Sequence, residues 1–441
     1  MHNDADLAER AKEVLQHNDR GFYTIPAEGL YPHQWLWDSC FIAIGQRHYD
    51  VERAKMELLS LLRGQWTNGM LPHIIVAPGH KEYRHHGVWH SWVSPYSPED
   101  ISTSGITQPP MLAEAVVRVG KKMKLTERRS WYRQVWPNLL AYHQWLYRER
   151  DPHAEGLVLQ IHPWETGLDT IPPWMSEVHS HLLPRWIRFL RATKLESILS
   201  LIRADTRYVP GRQRPTNVEA MALYEAQRRL RRKEYAIDRI LDHSLFSIED
   251  LAFNCIFIRA NELLLEIATT LRADIPPELE TRMQLSKKTF EELWDPYTEM
   301  YYPREFVTHR LLKEPSIESL LPLYAGCISK ERAQILVKAL ENEHMFGPSY
   351  PAPSTPLNSQ WFNPERYWQG PTWVNMNWLL IDGLTRYGFR DHAAALTEVT
   401  LELVRDQGFA EYFNPLSGAP LGAQNFSWTA ALALDLMKKG K

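Results

Sequence analysis

LAFNCIFIRANELLLEIATTL, residues 251–271, is a long and strongly apolar helical pattern from which the fold of this chain can be inferred. Its apolar residues recur at the helical period and leave almost no polar face, which predicts a helix that is buried on most of its sides. The stretch TWVNMNWLLIDGL, residues 372–384, has the same pattern. A helix that is apolar nearly all round needs cover on every side. Both stretches therefore predict helices that are enclosed by the rest of the chain.

Helical patterns continue outward from these two stretches to both ends of the chain. Strand patterns are scarce, and the short alternations GLVLQIH (156–162) and EMYYP (299–303) predict only small hairpins at loop tips. The expected protein is therefore all-α, with its helices paired by loops of varied length. The predicted helices cover residues 4–17, 38–48, 51–63, 108–123, 127–150, 184–203, 217–240, 247–271, 277–293, 329–341, 372–388, 391–406 and 427–438.

Two long loops, residues 64–107 and 342–371, separate the helical stretches. Both are polar, aromatic and rich in Pro and Gly, and loops of such length inside a compact domain are usually functional. Helical hairpins with these loops predict a single barrel domain over residues 1–441, with its site at one mouth. The Arg-rich segment 176–245 is predicted to be a small insertion that caps the barrel, although its basic run RRLRRK (228–233) is also typical of a solvated helix face.

The charge balance, the cysteines and the distribution of apolar residues argue against nucleic-acid binding, membrane association and secretion. The 50 basic and 53 acidic residues nearly cancel, so the charge gives no reason to expect nucleic acid or an anionic membrane as a partner. Cys40, Cys255 and Cys327 are far apart and odd in number, which favours a reduced, cytoplasmic protein. The N-terminus is charged throughout, without the apolar core of a signal peptide, and no run of 18 uncharged apolar residues is present to span a membrane.

Patterns for metal or nucleotide chemistry are missing from the sequence. His85, His86 and His90 lie in a polar loop without a carboxylate at a fixed spacing, and the motifs HExxH, CxxC, GxSxG and GxxxxGK[ST] do not occur. We therefore expect no metal and no cofactor.

Aromatic residues are abundant in this sequence, with 17 Trp, 19 Tyr and 14 Phe, and they indicate what it binds. Flat apolar rings stack on the C–H faces of sugars, and the indole N–H can still donate a hydrogen bond. The alternative role of these side chains is to fill the core of a large protein. Many tryptophans lie in loops rather than at helical spacing, which favours carbohydrate contact for the group. These are Trp35, Trp37, Trp66, Trp89, Trp92, Trp164, Trp174, Trp361, Trp368 and Trp373.

One acid stands out in HPWETGLDTIPPW (162–174), where Asp169 follows Gly167 and tryptophans would surround its carboxyl with apolar surface. Such desolvation raises the pKa of a carboxylic acid and keeps it protonated, as a general acid requires. Glu165 lies in the same motif and competes with Asp169 for the role of general acid. Its alternative role is to hold a sugar hydroxyl or a loop amide. The alternative role of Asp169 is a loop cap that accepts hydrogen bonds from nearby N–H groups.

The second acid, Glu411, lies between aromatic residues in GFAEYFNPLSG (408–418). Burying a glutamate there is costly unless it is used or paired, and an ion pair with an Arg or Lys elsewhere in the chain is the alternative. A sugar-cleaving enzyme needs one acid that protonates the glycosidic oxygen and another that activates water or attacks carbon. The two loops together therefore predict a glycoside-cleaving site.

Polar residues at the mouths of predicted helices are candidate ligands for sugar hydroxyls. In WLWDSCF (35–41), Asp38 would either cap the helix that follows, as Asp often does, or grip a pair of hydroxyls. The stretch YWQGPTW (367–373) is similarly rich in aromatic residues and also precedes a helix, whose first turn exposes N–H groups. Four further candidates share this position at a helix mouth: Gln108, Gln369, Gln424 and Trp428.

RPTNVEA (214–220) predicts a helix start in which Thr216 is the N-cap and Glu219, three residues on, completes a capping box. Arg212 and Arg214 stand just before it. An arginine beside a helix N-terminus is suited to a small carboxylate or phosphate, whereas the simpler interpretation is a capped helix without a ligand.

Taken together, WLWDSCF, ETGLD, YWQGPTW with MNW, and FAEYFNPLSG with FSWTAA resemble glycoside hydrolase family 63. The similarity spans nearly the whole chain in the family's order, and it resembles most the compact bacterial branch that hydrolyses mannosylglycerate and glucosylglycerate. The resemblance implies an (α/α)6 barrel and an inverting glycosidase, in which Asp169 is the general acid and Glu411 the general base. It also implies a small anionic sugar as substrate and a homo-oligomeric assembly.

By the same resemblance, the residues that line the site are Tyr31, Trp35, Trp37, Asp38, Gln108, Trp164, Gly167, Tyr367, Trp368, Trp373, Gln424 and Trp428. Arg214 matches the arginine that binds the glycerate carboxylate in this branch. The sequence departs from the branch after this arginine, where acidic residues and a tyrosine in contact with glycerate often follow. The corresponding stretch here is Asn217, Val218, Glu219 and Ala220, and Tyr224, one turn further along, could replace that tyrosine.

The expected function is thus hydrolysis of mannosylglycerate, or of its glucosyl analogue, to free sugar and glycerate by a cytoplasmic inverting α-glycosidase. An α-glucosidase for neutral oligosaccharides or disaccharides is one alternative, which the basic pair Arg212 and Arg214 disfavours. A non-catalytic sugar-binding protein is another, which two well-placed acids disfavour. A helical-repeat interaction scaffold is the last, and a closed barrel would exclude it.

Overall fold

The structure is a computed structural model that describes residues 4–79, 88–179, 203 and 205–439. Helices dominate these residues, as the sequence predicts. The described α-helices are, in chain order, α1 Asp4–His17, α2 Leu36–Gln46, α3 Val51–Leu62, α4 Leu112–Gly120, α5 Leu125–Arg150, α6 Pro172–Glu177, α7 Asn217–Arg232, α8 Ile237–Leu241, α9 Leu251–Leu271, α10 Pro277–Thr289, α11 Pro322–Ala325, α12 Lys330–Glu341, α13 Val374–Tyr387, α14 Arg390–Gln407 and α15 Ser427–Lys439.

Alternate helices form two concentric layers. In the described part of the chain, α2, α4, α9, α11, α13 and α15 each contact the next, and α15 contacts α2, so these six close into an inner ring. Around them lie α1, α3, α5, α10, α12 and α14, each packed on one or two inner helices. This is the (α/α)6 barrel, and the prediction of the fold class is confirmed by it.

Helix α9 belongs to the inner ring and consists of the apolar stretch 251–271. Asp250 caps it by accepting a hydrogen bond from the Phe253 N–H at 2.6 Å, and the helix ends at Arg272, which is left-handed with φ +56°. Its largely buried surface meets α4, α5, α10 and α11. The nearly unbroken apolar surface of α9 thus follows from having neighbours on most sides.

The structure differs from the sequence prediction in one helix that is broken and in two short helices, α6 and α11, that were not predicted. The predicted helix 217–240 is broken, because Glu234 and Tyr235 both have φ +57° after α7 ends. Helix α11 was not predicted, since it has only 4 residues and ends at Gly326, which is left-handed with φ +72°. Most of the predicted helix 184–203 lies outside the described residues.

Strands in the described part are pairs of residues that join loops. They are β1 Gln34–Trp35, β2 Ile74–Ile75, β3 Ile248–Glu249, β4 Trp294–Asp295, β5 Met300–Tyr301, β6 Arg304–Glu305, β7 Tyr412–Phe413 and β8 Pro420–Leu421. All pairings are antiparallel: β1 with β2, β3 with β6, β4 with β5, and β7 with β8. EMYYP therefore does contribute to a hairpin, whereas Gln160 of GLVLQIH forms only a single bridge to Ile248. None of the described helices is long and apolar enough to cross a bilayer.

Asp435, near the end of α15, holds three inner helices together. Its buried carboxylate accepts hydrogen bonds from Arg47 at 2.6 Å, from His48 at 2.8 Å and from the Trp378 indole at 2.8 Å. Arg47 and His48 directly follow α2, and Trp378 belongs to α13. A buried carboxylate with these partners is strongly stabilising relative to the same partners left unpaired.

We predict that Asp435→Ala lowers the free energy of unfolding by about 3 kcal/mol, because it leaves the buried Arg47 guanidinium without its counter-ion. The measurement is the midpoint and slope of urea unfolding followed by circular dichroism. Glu52→Gln is the matched control, since Glu52 is 79% exposed in its ion pair with Lys55, and it should change stability by no more than about 0.5 kcal/mol. Equal effects of the two substitutions would contradict the role given to Asp435.

Candidate active site

A cavity of about 400 Å³ opens at the end of the barrel where α2, α4, α13 and α15 begin. It brings together both predicted acids and eleven of the thirteen predicted binding residues. These lining residues are Tyr31, Trp35, Trp37, Asp38, Gln108, Trp164, Gly167, Asp169, Arg214, Tyr367, Trp368, Glu411 and Trp428. Residues from opposite ends of the chain therefore meet in one aromatic pocket.

Two predicted binding residues lie away from the cavity wall. The Trp373 ring is buried behind Trp368 and stacks on it with a centroid distance of 3.8 Å and an interplanar angle of 3°. Trp373 thereby supports a wall residue. Gln424 is exposed in a turn and donates a hydrogen bond to the carbonyl of Gly422 at 3.4 Å. Gln369 is buried and donates to the carbonyl of Thr170 at 3.2 Å, so it holds the loop that carries Asp169.

Asp169 lies half-buried on the wall of this cavity. Burial raises its pKa to about 7, against the opposing effects of Arg214 and of the Tyr367 hydroxyl, which donates a hydrogen bond to Asp169 Oδ2 at 3.2 Å. A carboxyl with such a pKa is still partly protonated at neutral pH. It can therefore donate a proton to a bound molecule.

Glu411 is buried in the same cavity and is held by three donors. Its Oε1 accepts hydrogen bonds from the Tyr31 hydroxyl at 2.7 Å and from Arg214 Nη1 at 3.4 Å, and its Oε2 accepts one from the Ala423 N–H at 2.9 Å. Burial raises the pKa of Glu411, while Arg214, Tyr31 and Ala423 oppose that effect by favouring the charged carboxylate. The ion pair that the sequence left as an alternative thus exists, and it lies inside the cavity.

Arg214 connects the surroundings of the two acids. Its guanidinium lies 4.3 Å from the centre of the Tyr367 ring, and the hydroxyl of that ring donates to Asp169. On the other side, Nη1 is 2.9 Å from the Tyr31 hydroxyl, which in turn donates to Glu411. The sequence predicted a position beside a helix for this arginine, without any contact to Glu411.

Asp38 does not cap α2, because this helix begins two residues earlier at Leu36 with Trp35 as the N-cap. Its side chain instead lines the cavity and is buried. Burial raises the pKa of Asp38 well above its usual range, and the nearby charges of Glu411 and Asp169 raise it further. A protonated Asp38 could both donate to and accept from a sugar hydroxyl.

Gly167 lets the Asp169 loop approach Trp37 closely. Its φ is +74°, and a Cβ at this position would lie 2.7 Å from Cη2 of the Trp37 indole. Any other residue would be strained and would also displace this ring. The glycine that the sequence singled out is therefore required by both the backbone and the packing.

Glu165, the competing acid of the motif, is fully buried away from the cavity lining. It accepts hydrogen bonds from Arg150 at 2.7 Å, from the Thr107 N–H at 3.2 Å and from the Ile161 N–H at 2.9 Å. This places Glu165 in the loop-amide role that the sequence offered as one choice. It joins the loop before Gln108 to the loop before Asp169.

The predicted capping box at the start of α7 is confirmed. Thr216 accepts a hydrogen bond from the Glu219 N–H at 3.3 Å, and Glu219 accepts one from the Thr216 N–H at 2.7 Å. Of the two arginines before it, Arg214 is buried in the cavity, whereas Arg212 is 71% exposed and pairs with Glu365. Tyr224, further along α7, also lines the cavity, with its ring centre 5.4 Å from that of Trp164.

Sequence reasoning missed Arg203 and Asp205, which also line the cavity. Arg203 binds Asp205 through two hydrogen bonds and donates to the carbonyl of Pro215, and Asp205 lies 3.5 Å from Arg214 Nε. Arg203 fell at the end of a predicted helix, so only its nearness in sequence to RPTNVEA could have revealed it. His73, Tyr208 and Phe426 also line the cavity without having been predicted, and so does Trp89, one of the tryptophans favoured for carbohydrate contact.

Comparison with known proteins agrees with this geometry. The family described as mannosylglycerate hydrolase MGH1-like glycoside hydrolase domain matches residues 31–429. The chain belongs to this family. It is therefore a glycoside hydrolase, and the cavity between the two acids is its candidate active site.

Individual members of the family resemble the chain over almost its full length. The mannosylglycerate hydrolase of Thermus thermophilus is 39% identical and is aligned over 96% of this chain and 99% of its own length. The glucosylglycerate hydrolase of Mycolicibacterium hassiacum is 32% identical, with 97% of each chain covered. A crystal structure of a Thermus thermophilus mannosylglycerate hydrolase, in complex with Tris and D-glycerate, has a TM-score of 0.88 at 37% identity and covers 98% of this chain and 100% of its own.

We predict that Tyr367→Phe moves the alkaline limb of kcat/KM to higher pH, by on the order of one unit. The lost hydroxyl stabilises the charged form of Asp169, so the pKa of Asp169 should rise further above its value of about 7. The pH dependence of kcat/KM, which reports the free enzyme, is the measurement. Tyr387→Phe, whose hydroxyl binds the carbonyl of Ile328 far from the cavity, should leave the limb in place. A downward or absent shift for Tyr367→Phe would contradict this assignment.

Proposed function

We propose that this enzyme hydrolyses the α-glycosidic bond of 2-O-mannosylglycerate and of its glucosyl analogue, with inversion, and releases free sugar and glycerate. One observation carries the proposal: Asp169 and Glu411 line the same cavity, and Arg214 contacts Glu411 and the tyrosine that binds Asp169. Two carboxyls and a buried cation suit a glycoside whose aglycone is anionic. The two relatives that act on glycerate glycosides support glycerate as that aglycone.

In the proposed reaction, the aromatic walls and Asp38 hold the pyranose. Asp169 gives its proton to the glycosidic oxygen while the bond from that oxygen to the anomeric carbon breaks. Glu411 takes a proton from a water whose oxygen bonds to the opposite face of the same carbon and becomes the anomeric hydroxyl of the sugar, while glycerate leaves with a hydroxyl that carries the proton from Asp169. The raised pKa of Asp169 supports the acid role, and the contact of Glu411 with Arg214 supports a charged base.

We also propose that the chain is one catalytic domain over residues 1–441, in which segment 176–245 is a cap that recognises the aglycone. The described part of this segment contributes Asp205, Arg214 and Tyr224 to the cavity wall. The inner helices contribute Trp37 and Trp428, which suits their end of the cavity to the sugar. Sugar and aglycone would thus be held by different parts of the chain.

A cytoplasmic location and a homo-oligomeric assembly complete the proposal. The three unpaired cysteines, Cys40, Cys255 and Cys327, suit a reducing compartment. The assembly stays a prediction, and the molar mass in solution, measured by light scattering, decides it.

We predict that the enzyme releases glycerate from both glycosides and that the β-anomer of the free sugar appears first. The measurement is proton NMR during the first minutes of hydrolysis. Maltose and trehalose are tested in parallel as neutral substrates. The double variant Asp169→Asn, Glu411→Gln is the control for contaminating glycosidases. Preferential cleavage of a neutral disaccharide would overturn the substrate class. Early release of the α-anomer would overturn inversion, which requires the two carboxyls to be about 6.5–9.5 Å apart.

A further inference from the structure

Arg214 is placed where the charge of the aglycone can influence the acid as well as the base. The inference drawn from this placement rests on the proposed function, because it requires a substrate with a carboxylate. On the side of the acid, the guanidinium lies 4.3 Å from the centre of the Tyr367 ring, whose hydroxyl is 3.2 Å from Asp169. A positive charge so near favours the deprotonated form of this carboxyl.

On the side of the base, the same guanidinium reaches Glu411 directly, at 3.4 Å, and through the Tyr31 hydroxyl. Its Nε lies 3.5 Å from Asp205, a carboxylate that two hydrogen bonds tie to Arg203. Because Arg203 already compensates Asp205, much of the charge of Arg214 remains to act on the two catalytic carboxyls.

We propose that Arg214 couples the carboxylate of the substrate to the acid. When the anionic aglycone pairs with Arg214, the guanidinium charge is withdrawn from Asp169, and the acid holds its proton to higher pH in the complex than in the free enzyme. The substrate thereby helps to keep Asp169 protonated, and Asp169 is the group that protonates its glycosidic oxygen. A glycoside without a carboxylate lacks this effect even when it fits the cavity.

The direction of the effect follows from the groups that face each partner. Burial raises the pKa of Asp169 to about 7, Arg214 and Tyr367 lower it, and Glu411 raises it. Asp38 is the other carboxyl close enough for its charge to interact with that of Asp169. The negative charge of a bound carboxylate offsets the influence of Arg214, and this raises the pKa of Asp169.

The charged and titratable groups around Arg214 leave this direction unchanged. Those described are Tyr31, Asp205, Tyr367, Glu411 and Tyr412. Burial raises the pKa of each of the three tyrosines, so their hydroxyls stay neutral near pH 7. The acids Asp205 and Glu411 both contact Arg214 and are present with either kind of substrate. The carboxylate of the aglycone is therefore the charge that differs between a glycerate glycoside and a neutral one.

Two substrates that differ only in this charge test the proposal on the unaltered enzyme. They are the α-mannoside of glycerate and the α-mannoside of glycerol, in which CH2OH replaces the carboxylate. The alkaline limb of kcat should lie about one pH unit higher, or more, for the glycerate glycoside. The alkaline limbs of kcat/KM should coincide, since both report the free enzyme.

Variants at two arginines sharpen this comparison. In Arg214→Gln, which no longer holds the carboxylate of the substrate beside the acid, the separation between the alkaline limbs of kcat for the two substrates should shrink, whereas Arg212→Gln, at the exposed neighbour on the same segment, should preserve it. Coincident kcat limbs in the unaltered enzyme, together with hydrolysis of the glycerate glycoside, would overturn the coupling and leave the proposed function intact. Failure to hydrolyse the glycerate glycoside would overturn both.

Proton uptake on binding provides a test that needs no turnover. At pH 7.5, binding of D-glycerate should take up protons, seen as a dependence of the calorimetric enthalpy on the ionisation enthalpy of the buffer. Asp169→Asn should bind D-glycerate with this uptake abolished, and Asp406→Asn, at an exposed acid, should retain it. Binding without proton uptake, or with the same uptake in Asp169→Asn, would overturn the coupling.

Discussion

A buried arginine between two carboxyl groups is the constraint on which the site depends. Arg214 cannot be left alone in an apolar cavity, because an uncompensated buried charge costs several kcal/mol. Glu411 supplies compensation by direct contact, the electron-rich ring of Tyr367 adds to it, and Asp205, which is shared with Arg203, contributes less. The consequence is an asymmetry between the acids: Glu411 has the cation beside it and favours the charged form, whereas Asp169 has a tyrosine between itself and the cation and stays partly protonated.

The barrel creates this environment by gathering aromatic residues where its inner helices begin. Trp37 and Trp428 lie at the starts of α2 and α15, and Trp368 lies just before α13. Their rings exclude water from the carboxyls, which is the cause of the raised pKa of Asp169. The two side chains proposed as acid and base, Asp169 and Glu411, come from the loops between helices. The closed ring of helices thus provides a rigid rim, and the loops on this rim carry the carboxyls of Asp169 and Glu411.

The sequence was sufficient for features that depend on local patterns. Helical periodicity predicted α9 and α13 within a few residues, and the spacing of Thr216 and Glu219 predicted their capping box. Features that depend on distant neighbours were not predictable. Helix α11 is too short to show a period, and its place in the inner ring follows from packing alone. The contact between Arg214 and Glu411 joins residues 197 positions apart, so no window along the chain contains it. The family resemblance named both residues without revealing that they touch.

We propose that their different environments make Asp169 the acid and Glu411 the base. The most direct test of this assignment compares Asp169→Ala and Glu411→Ala on mannosylglycerate and on 2,4-dinitrophenyl α-mannoside, whose leaving group needs no proton. We predict that Asp169→Ala loses about 10²–10⁴-fold in kcat on mannosylglycerate and recovers most of it on the dinitrophenyl glycoside, whereas Glu411→Ala is impaired equally on both. Equal impairment of Asp169→Ala on both substrates, or recovery by Glu411→Ala, would contradict it.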